Sequence, residues 1–121
     1  MSWHEDGDVS PGIPDLHYVM RGIPHRVGWL ELKAVNGTYS PSNCFDIKAT
    51  QHQYITKWGQ VMPIHFLVRI GDTIYLVHSE YHRQLAFAKD EHDIRVISML
   101  ACHADDLESA LPQILSEITK I

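Results

Sequence analysis

Residues 62 to 79, MPIHFLVRIGDTIYLVHS, constrain the fold of this chain more than any other stretch. Two apolar runs rich in β-branched and aromatic side chains flank the pair Gly71-Asp72. Runs of this composition favour extended backbone, and a Gly-Asp pair reverses a chain tightly. The pattern predicts a strand, a turn and a returning strand.

A second strand pair is expected upstream. PDLHYVM (14–20) and RVGWLELKAV (26–35) read as strands, with Gly22 and Pro24 punctuating the turn between them. NGTYSPSN then forms a loop, since Asn-Gly and Ser-Pro are turn dipeptides. DIKATQHQYITKWG (46–59) reads as a helix. Thr50 is its expected N-cap, Gln53 stands three residues on at capping-box spacing, and Gly59 falls just past its end. After the 62–79 pair, EYHRQLAFAKDE (80–91) is a short helix and IRVISML (94–100) a strand. The tail from His103 is a helix with Leu107, Leu111, Ile114, Leu115 and Ile118 on one stripe, which Pro112 is expected to kink or split. The order ββ-α-ββ-(α)-β-α describes an α/β domain with a mixed sheet. At 121 residues it is expected to be one domain, 1–121, able to bury a core without disulfides or metal staples.

Charge and cysteine usage narrow the function. The net charge of -5, with ten Lys and Arg scattered along the chain, argues against indiscriminate binding of polyanions. Cys44 and Cys102 lie far apart in sequence and are expected to be free thiols. The start, MSWHEDGDVS, resembles neither a signal nor a transit peptide, and no apolar run reaches the ~18 residues of a membrane span. The expectation is an intracellular, cytoplasmic protein with no membrane partner. The nine histidines include no Cys-His cluster, so structural zinc is not expected.

The chemistry concentrates in the first strand pair. Side chains alternate along a strand, so Glu31 and Lys33 point to the same face. Asp15 opens the neighbouring strand and would lie beside Glu31 in a hairpin. Two adjacent carboxylates repel, and a divalent cation removes that conflict. One or two carboxylates completed by water are typical of Mg²⁺, with Mn²⁺ as its substitute, and the backbone carbonyl of Leu32 offers a further oxygen. Lys33 would then position or deprotonate a water, or hold a phosphate oxygen. Metal, lysine and water are the equipment of phosphodiester hydrolysis. The competing reading is an edge strand with Glu31 and Lys33 facing solvent.

Gly12-Ile13-Pro14-Asp15-Leu16, Glu31-Leu32-Lys33, and Thr50-Gln51-His52-Gln53 opening a helix that ends near Gly59 form an ordered set. In this set the chain resembles the PD-(D/E)xK nuclease superfamily, and within it the stand-alone, phage-type VRR-NUC (virus-type replication-repair nuclease) family. The resemblance covers about residues 12 to 78. It implies a restriction-endonuclease-like core, a mixed central sheet flanked by helices. It implies that Asp15 and Glu31 bind Mg²⁺ and that Lys33 serves the water or a phosphate. It brings Gln53 from the helix to orient Lys33 or a phosphate oxygen, with Gln51 as its competitor. Family members carry a further acid on an N-terminal helix. Gly7 and Pro11 disfavour such a helix here, and Glu5 is the candidate substitute.

The implied activity is Mg²⁺-dependent, structure-specific cleavage of branched DNA, in the manner of a Holliday-junction resolvase in phage-type recombination, repair or genome processing. A homodimer would present two active sites to two symmetric strands, with the tail stripe as one candidate surface. Lys48, Lys57 and Arg83 are candidate DNA contacts. The alternatives are a general or sequence-specific nuclease on the same fold, or a nuclease-fold protein that only binds DNA or scaffolds. No base-reading element favours the sequence-specific reading.

Overall fold

The structure is a computed structural model. It describes the backbone of residues 16–20 and 26–118 and the side chains of residues 28–117. Five strands form one sheet in the order β1-β2-β3-β4-β5: β1 Leu16–Met20, β2 Arg26–Val35, β3 Ile64–Ile70, β4 Thr73–His78 and β5 Ser98–His103. The helices are α1 Ala49–Trp58, α2 His82–Ala86, α3 Glu91–Ile97 and α4 Leu107–Ile118.

Both expected strand pairs form antiparallel ladders, β1 with β2 and β3 with β4. Gly71 adopts φ +56° in the β3–β4 turn, a conformation that costs glycine little because it has no Cβ. The two pairs join through β2 and β3, which run parallel with Glu31 opposite Phe66 and Lys33 opposite Val68. Parallel neighbours need a crossover, and residues 36–63 supply it with α1 inside.

Helices cover both faces of the sheet. On one face Val35, Phe66, Val68, Tyr75 and Val77 pack with Ile55 of α1, Leu85 of α2 and Ile94 of α3. On the other, Leu30, Leu32, Leu67, Ile74 and Leu76 pack with Ile114 of α4. This explains why β3 and β4 are almost continuously apolar: a strand buried on both sides has no solvent face to alternate with. β2 is interior to the sheet, so the solvent-facing edge-strand reading of Glu31 and Lys33 does not hold.

The 94–100 run divides where a single strand was expected. Ile94–Ile97 finish α3, and β5 begins at Ser98. Asp90 decides this locally: its Oδ1 accepts the Asp93 N–H at 3.0 Å, and Asp93 Oδ2 accepts the Lys89 N–H at 2.9 Å. A satisfied cap outweighs a weak β preference. The helix expected over 80–91 shrinks to a 3-10 turn, Ser79–Tyr81, followed by α2. α4 runs through Pro112 as one helix, with Ile114 fully covered. Both thiols are free, and among the described residues no helix is long and apolar enough to cross a membrane.

Candidate active site: a buried Glu-Lys-Gln cluster

Glu31 and Lys33 project from β2 on the α1 side of the sheet, and both are buried, at 4% and 2% exposure. Lys33 Nζ stands 3.9 Å from Glu31 Oε1. The third member comes from the first turn of α1. Gln51 Nε2 donates to Glu31 Oε1 at 2.7 Å, and Gln51 Oε1 accepts from Lys33 Nζ at 3.2 Å. One amide therefore bridges the carboxylate and the ammonium, offering each the hydrogen-bonding partner it needs.

The local sequence places that amide. Ile47 is buried and anchors the chain as it enters the helix. Lys48 takes the N-cap position with extended backbone, although its side chain has no acceptor. The return half of a capping box forms instead: Gln51 Oε1 accepts the Lys48 backbone N–H at 2.9 Å. Gln51 thus closes the helix end and holds the site with the same side chain. The partial positive charge of a helix N-terminus lies next to Glu31, a favourable setting for an anion.

This corrects two expectations. The N-cap is Lys48 and not Thr50, and the glutamine at Lys33 is Gln51 and not Gln53. The physical reason is a helix that starts two residues earlier than expected. Two residues along a helix is about 200° of rotation, enough to carry Gln53 to the exposed side. There it lines an open groove with His52, Thr56, Lys57 and Arg83. Gly59 does end α1, but at φ -63° and for lack of room. Its N–H reaches Ile55 O at 2.7 Å, and a Cβ there would meet that oxygen at 2.6 Å.

Asp15 and Glu5 lie outside the described residues. β1 begins at the next residue, Leu16, which pairs with Leu30, the residue before Glu31. Leu32 sits between Glu31 and Lys33 with its side chain buried on the α4 face. Of the candidate DNA contacts, Lys57 and Arg83 come together across the α1–α2 groove, and Lys48 sits exposed at the start of α1. Among the described residues no group of three or more His, Cys, Asp or Glu could hold a metal. Glu31 is a hard oxygen ligand, and the ammonium of Lys33 is none.

A second cluster gave no sequence signal. His52 of α1 and His82 of α2 meet at 2.5 Å between their Nδ1 atoms. They lie far apart in sequence, and only the packing of the two helices unites them. Comparison of the chain with protein-family models, with curated proteins and with solved structures gives no match.

Proposed function

We propose that this protein is a metal-dependent endodeoxyribonuclease with a PD-(D/E)xK-type core, acting on branched DNA as a homodimer. The observation that carries the reading is the burial of Glu31, Lys33 and Gln51 in one hydrogen-bonded cluster. A buried ion pair adds little stability, because desolvation of both charges offsets their attraction. A cluster of this kind is better explained by chemistry than by folding. The order of elements and the Pro14-Asp15, Glu31-x-Lys33 spacing support the same reading.

In this reading Glu31, Asp15 and the Leu32 carbonyl would hold Mg²⁺, for which an all-oxygen donor set is suited. When bound, the ion lowers the pKa of the attacking water and neutralises charge on the phosphate. The chain's own groups do the rest. Lys33 would position the attacking water or hold a non-bridging phosphate oxygen, Gln51 would fix the direction of its side-chain nitrogen, and Glu31 would help hold it in place. Water would then add to phosphorus as a bridging P–O bond breaks, its proton passing to solvent and the leaving oxygen taking a proton from solvent.

The test is incubation of labelled four-way junctions, flaps and linear duplex with Mg²⁺, Mn²⁺, Ca²⁺ or EDTA. Cleavage in Mg²⁺ and Mn²⁺, absent in EDTA and weak in Ca²⁺, is expected. Removal of a metal ligand or of the lysine should cost on the order of a hundredfold or more. Full activity of both Glu31→Ala and Lys33→Ala would remove the assignment.

A further inference from the structure

The groove between α1 and α2, about 360 Å³, is lined by His52, Gln53, Thr56, Lys57 and Arg83. Every lining side chain can donate a hydrogen bond, and none is acidic. That is notable in a chain where Asp and Glu outnumber Lys and Arg fifteen to ten. His52 and Thr56, and Gln53 and Lys57, are each four apart, so all four share one face of α1. Arg83 closes the groove from α2.

The histidine pair adds a second feature. With Nδ1 atoms at 2.5 Å, one ring must donate its proton and the other must accept it. Burial, reinforced by the Arg83 charge and opposed by Asp46, lowers the pKa of His52. Burial, then His52 and Arg83, lower that of His82. Both shifts favour the neutral rings, beside a groove whose own ionisable lining side chains, Lys57 and Arg83, are basic. Asp46 acts from the loop before α1, and Glu80 lines a neighbouring cleft together with His82 and Thr56. Two imidazoles without a third His, Cys, Asp or Glu ligand among the described residues do not make a metal centre.

We infer that this groove seats a backbone phosphate of the DNA strand, held by Arg83 and Lys57, with the His52–His82 pair taking up a proton as the phosphate binds. The inference rests on the nuclease reading and extends it: Gln51, the bridge of the buried cluster, directly precedes His52, so a strand in the groove lies beside the same helix end. An added negative charge favours the protonated imidazole. Affinity should therefore rise as pH falls through the histidine range, which basic side chains alone would not produce.

The experiment is fluorescence anisotropy of a labelled linear duplex and of a four-way junction with the full chain in EDTA, at about pH 5.5 and pH 8, the two sides of the histidine range. The double variant Lys57→Gln/Arg83→Gln is expected to bind DNA roughly tenfold more weakly and with a shallower salt dependence, as for loss of two phosphate contacts. His52→Asn should keep the pH 8 affinity and lose the gain at low pH. Inorganic phosphate should displace the duplex only weakly, since it meets one subsite of the contact. Wild-type affinity in the double variant would overturn the inference, as would undiminished pH dependence in His52→Asn. Tight phosphate binding without DNA binding would also overturn it, in favour of a small-anion site. Circular dichroism of the variants guards against misfolding, and these exposed or half-buried positions leave the core intact. Glu31→Gln, assayed alongside, separates the two readings. DNA binding through the groove with no cleavage by wild type in Mg²⁺ sinks the nuclease reading alone. Cleavage by wild type and the double variant alike, with equal binding, sinks the groove alone.

Discussion

Lys33 is covered as completely as the core leucines, and on the α1 side of the sheet its side-chain nitrogen meets Gln51 Oε1 at 3.2 Å and Glu31 Oε1 at 3.9 Å. Removing one partner of such a pair leaves the other stranded, at a cost of about 3 to 5 kcal/mol, whereas replacing both by apolar groups is often neutral or stabilising. Lys33→Ala should therefore lose both cleavage and stability, while Glu31→Leu/Lys33→Met should lose cleavage and keep its urea midpoint. A double variant less stable than either single would mean that the cluster is structural. His65 supplies a separate test at the same scale. It is buried on the α4 face, its Nδ1 has no hydrogen-bond partner among the described residues, and burial, then the neighbouring His78, push its pKa down to about 3. Above the ordinary histidine pKa near 6.5 neither folded nor unfolded chain binds this proton, so nothing is lost there. As pH falls from about 6.5 toward 3, the unfolded chain takes the proton and the folded chain does not, so stability declines. The loss at about pH 4.5 should be on the order of 2 to 3 kcal/mol, and His65→Leu should abolish it in urea titrations at several pH values. The Glu31–Lys33 pairing could be read from strand alternation alone. The His65 orphan could not, because nothing in MPIHFLVRI distinguishes a histidine covered by a helix from one facing water.

Helix α1 was legible as an element and misplaced at its start. Thr50 is the better capping residue by side chain, and a sequence reading follows that preference. The chain instead begins the helix at Ala49, behind buried Ile47, and lets Gln51 cap from inside. A two-residue shift at a helix end changes little in stability and everything in which glutamine meets the lysine. Gln51→Ala should lower turnover at saturating DNA, whereas Gln53→Ala, in the groove, should act on DNA affinity more than on saturated turnover. The reverse pattern in steady-state kinetics would give the role to Gln53. The same lesson holds for α3, where one aspartate cap overrode a β-branched run. α4 was the plainest helix in the sequence, and part of its stripe packs on its own sheet: Ile114 is 1% exposed and, with partly buried Leu107 and Leu115, joins the cluster of Leu32, Leu67 and Leu76. Ile114→Ala should cost about 2 to 5 kcal/mol in denaturant unfolding, the usual range for a buried aliphatic truncation.

For the molecule as a whole, the α/β class and the element order apart from α3 were readable, because turn pairs such as Gly71-Asp72 fix local antiparallel contacts. The joining of β2 to β3 was not, since a parallel contact across residues 36–63 leaves no local mark. The proposed homodimer would need a surface other than the buried part of the α4 stripe. Exposed Phe87, Val96 and Met99 are apolar side chains outside the core. Light scattering at micromolar concentration should report a dimer, and a monomer that cuts duplex as fast as junctions would leave a general nuclease. The parallel contact also has a kinetic consequence. Glu31 and Lys33 belong to the strand before the crossover, Gln51 to the crossover itself, and the Trp29 indole reaches Met62 Sδ at its far end, at 3.1 Å. Local hairpins can close within microseconds, but a loop of this length must pay its closure entropy before any parallel hydrogen bond forms. The site should therefore be absent from early intermediates and appear in one late step, with Trp29 emission and DNA cleavage recovering together during refolding.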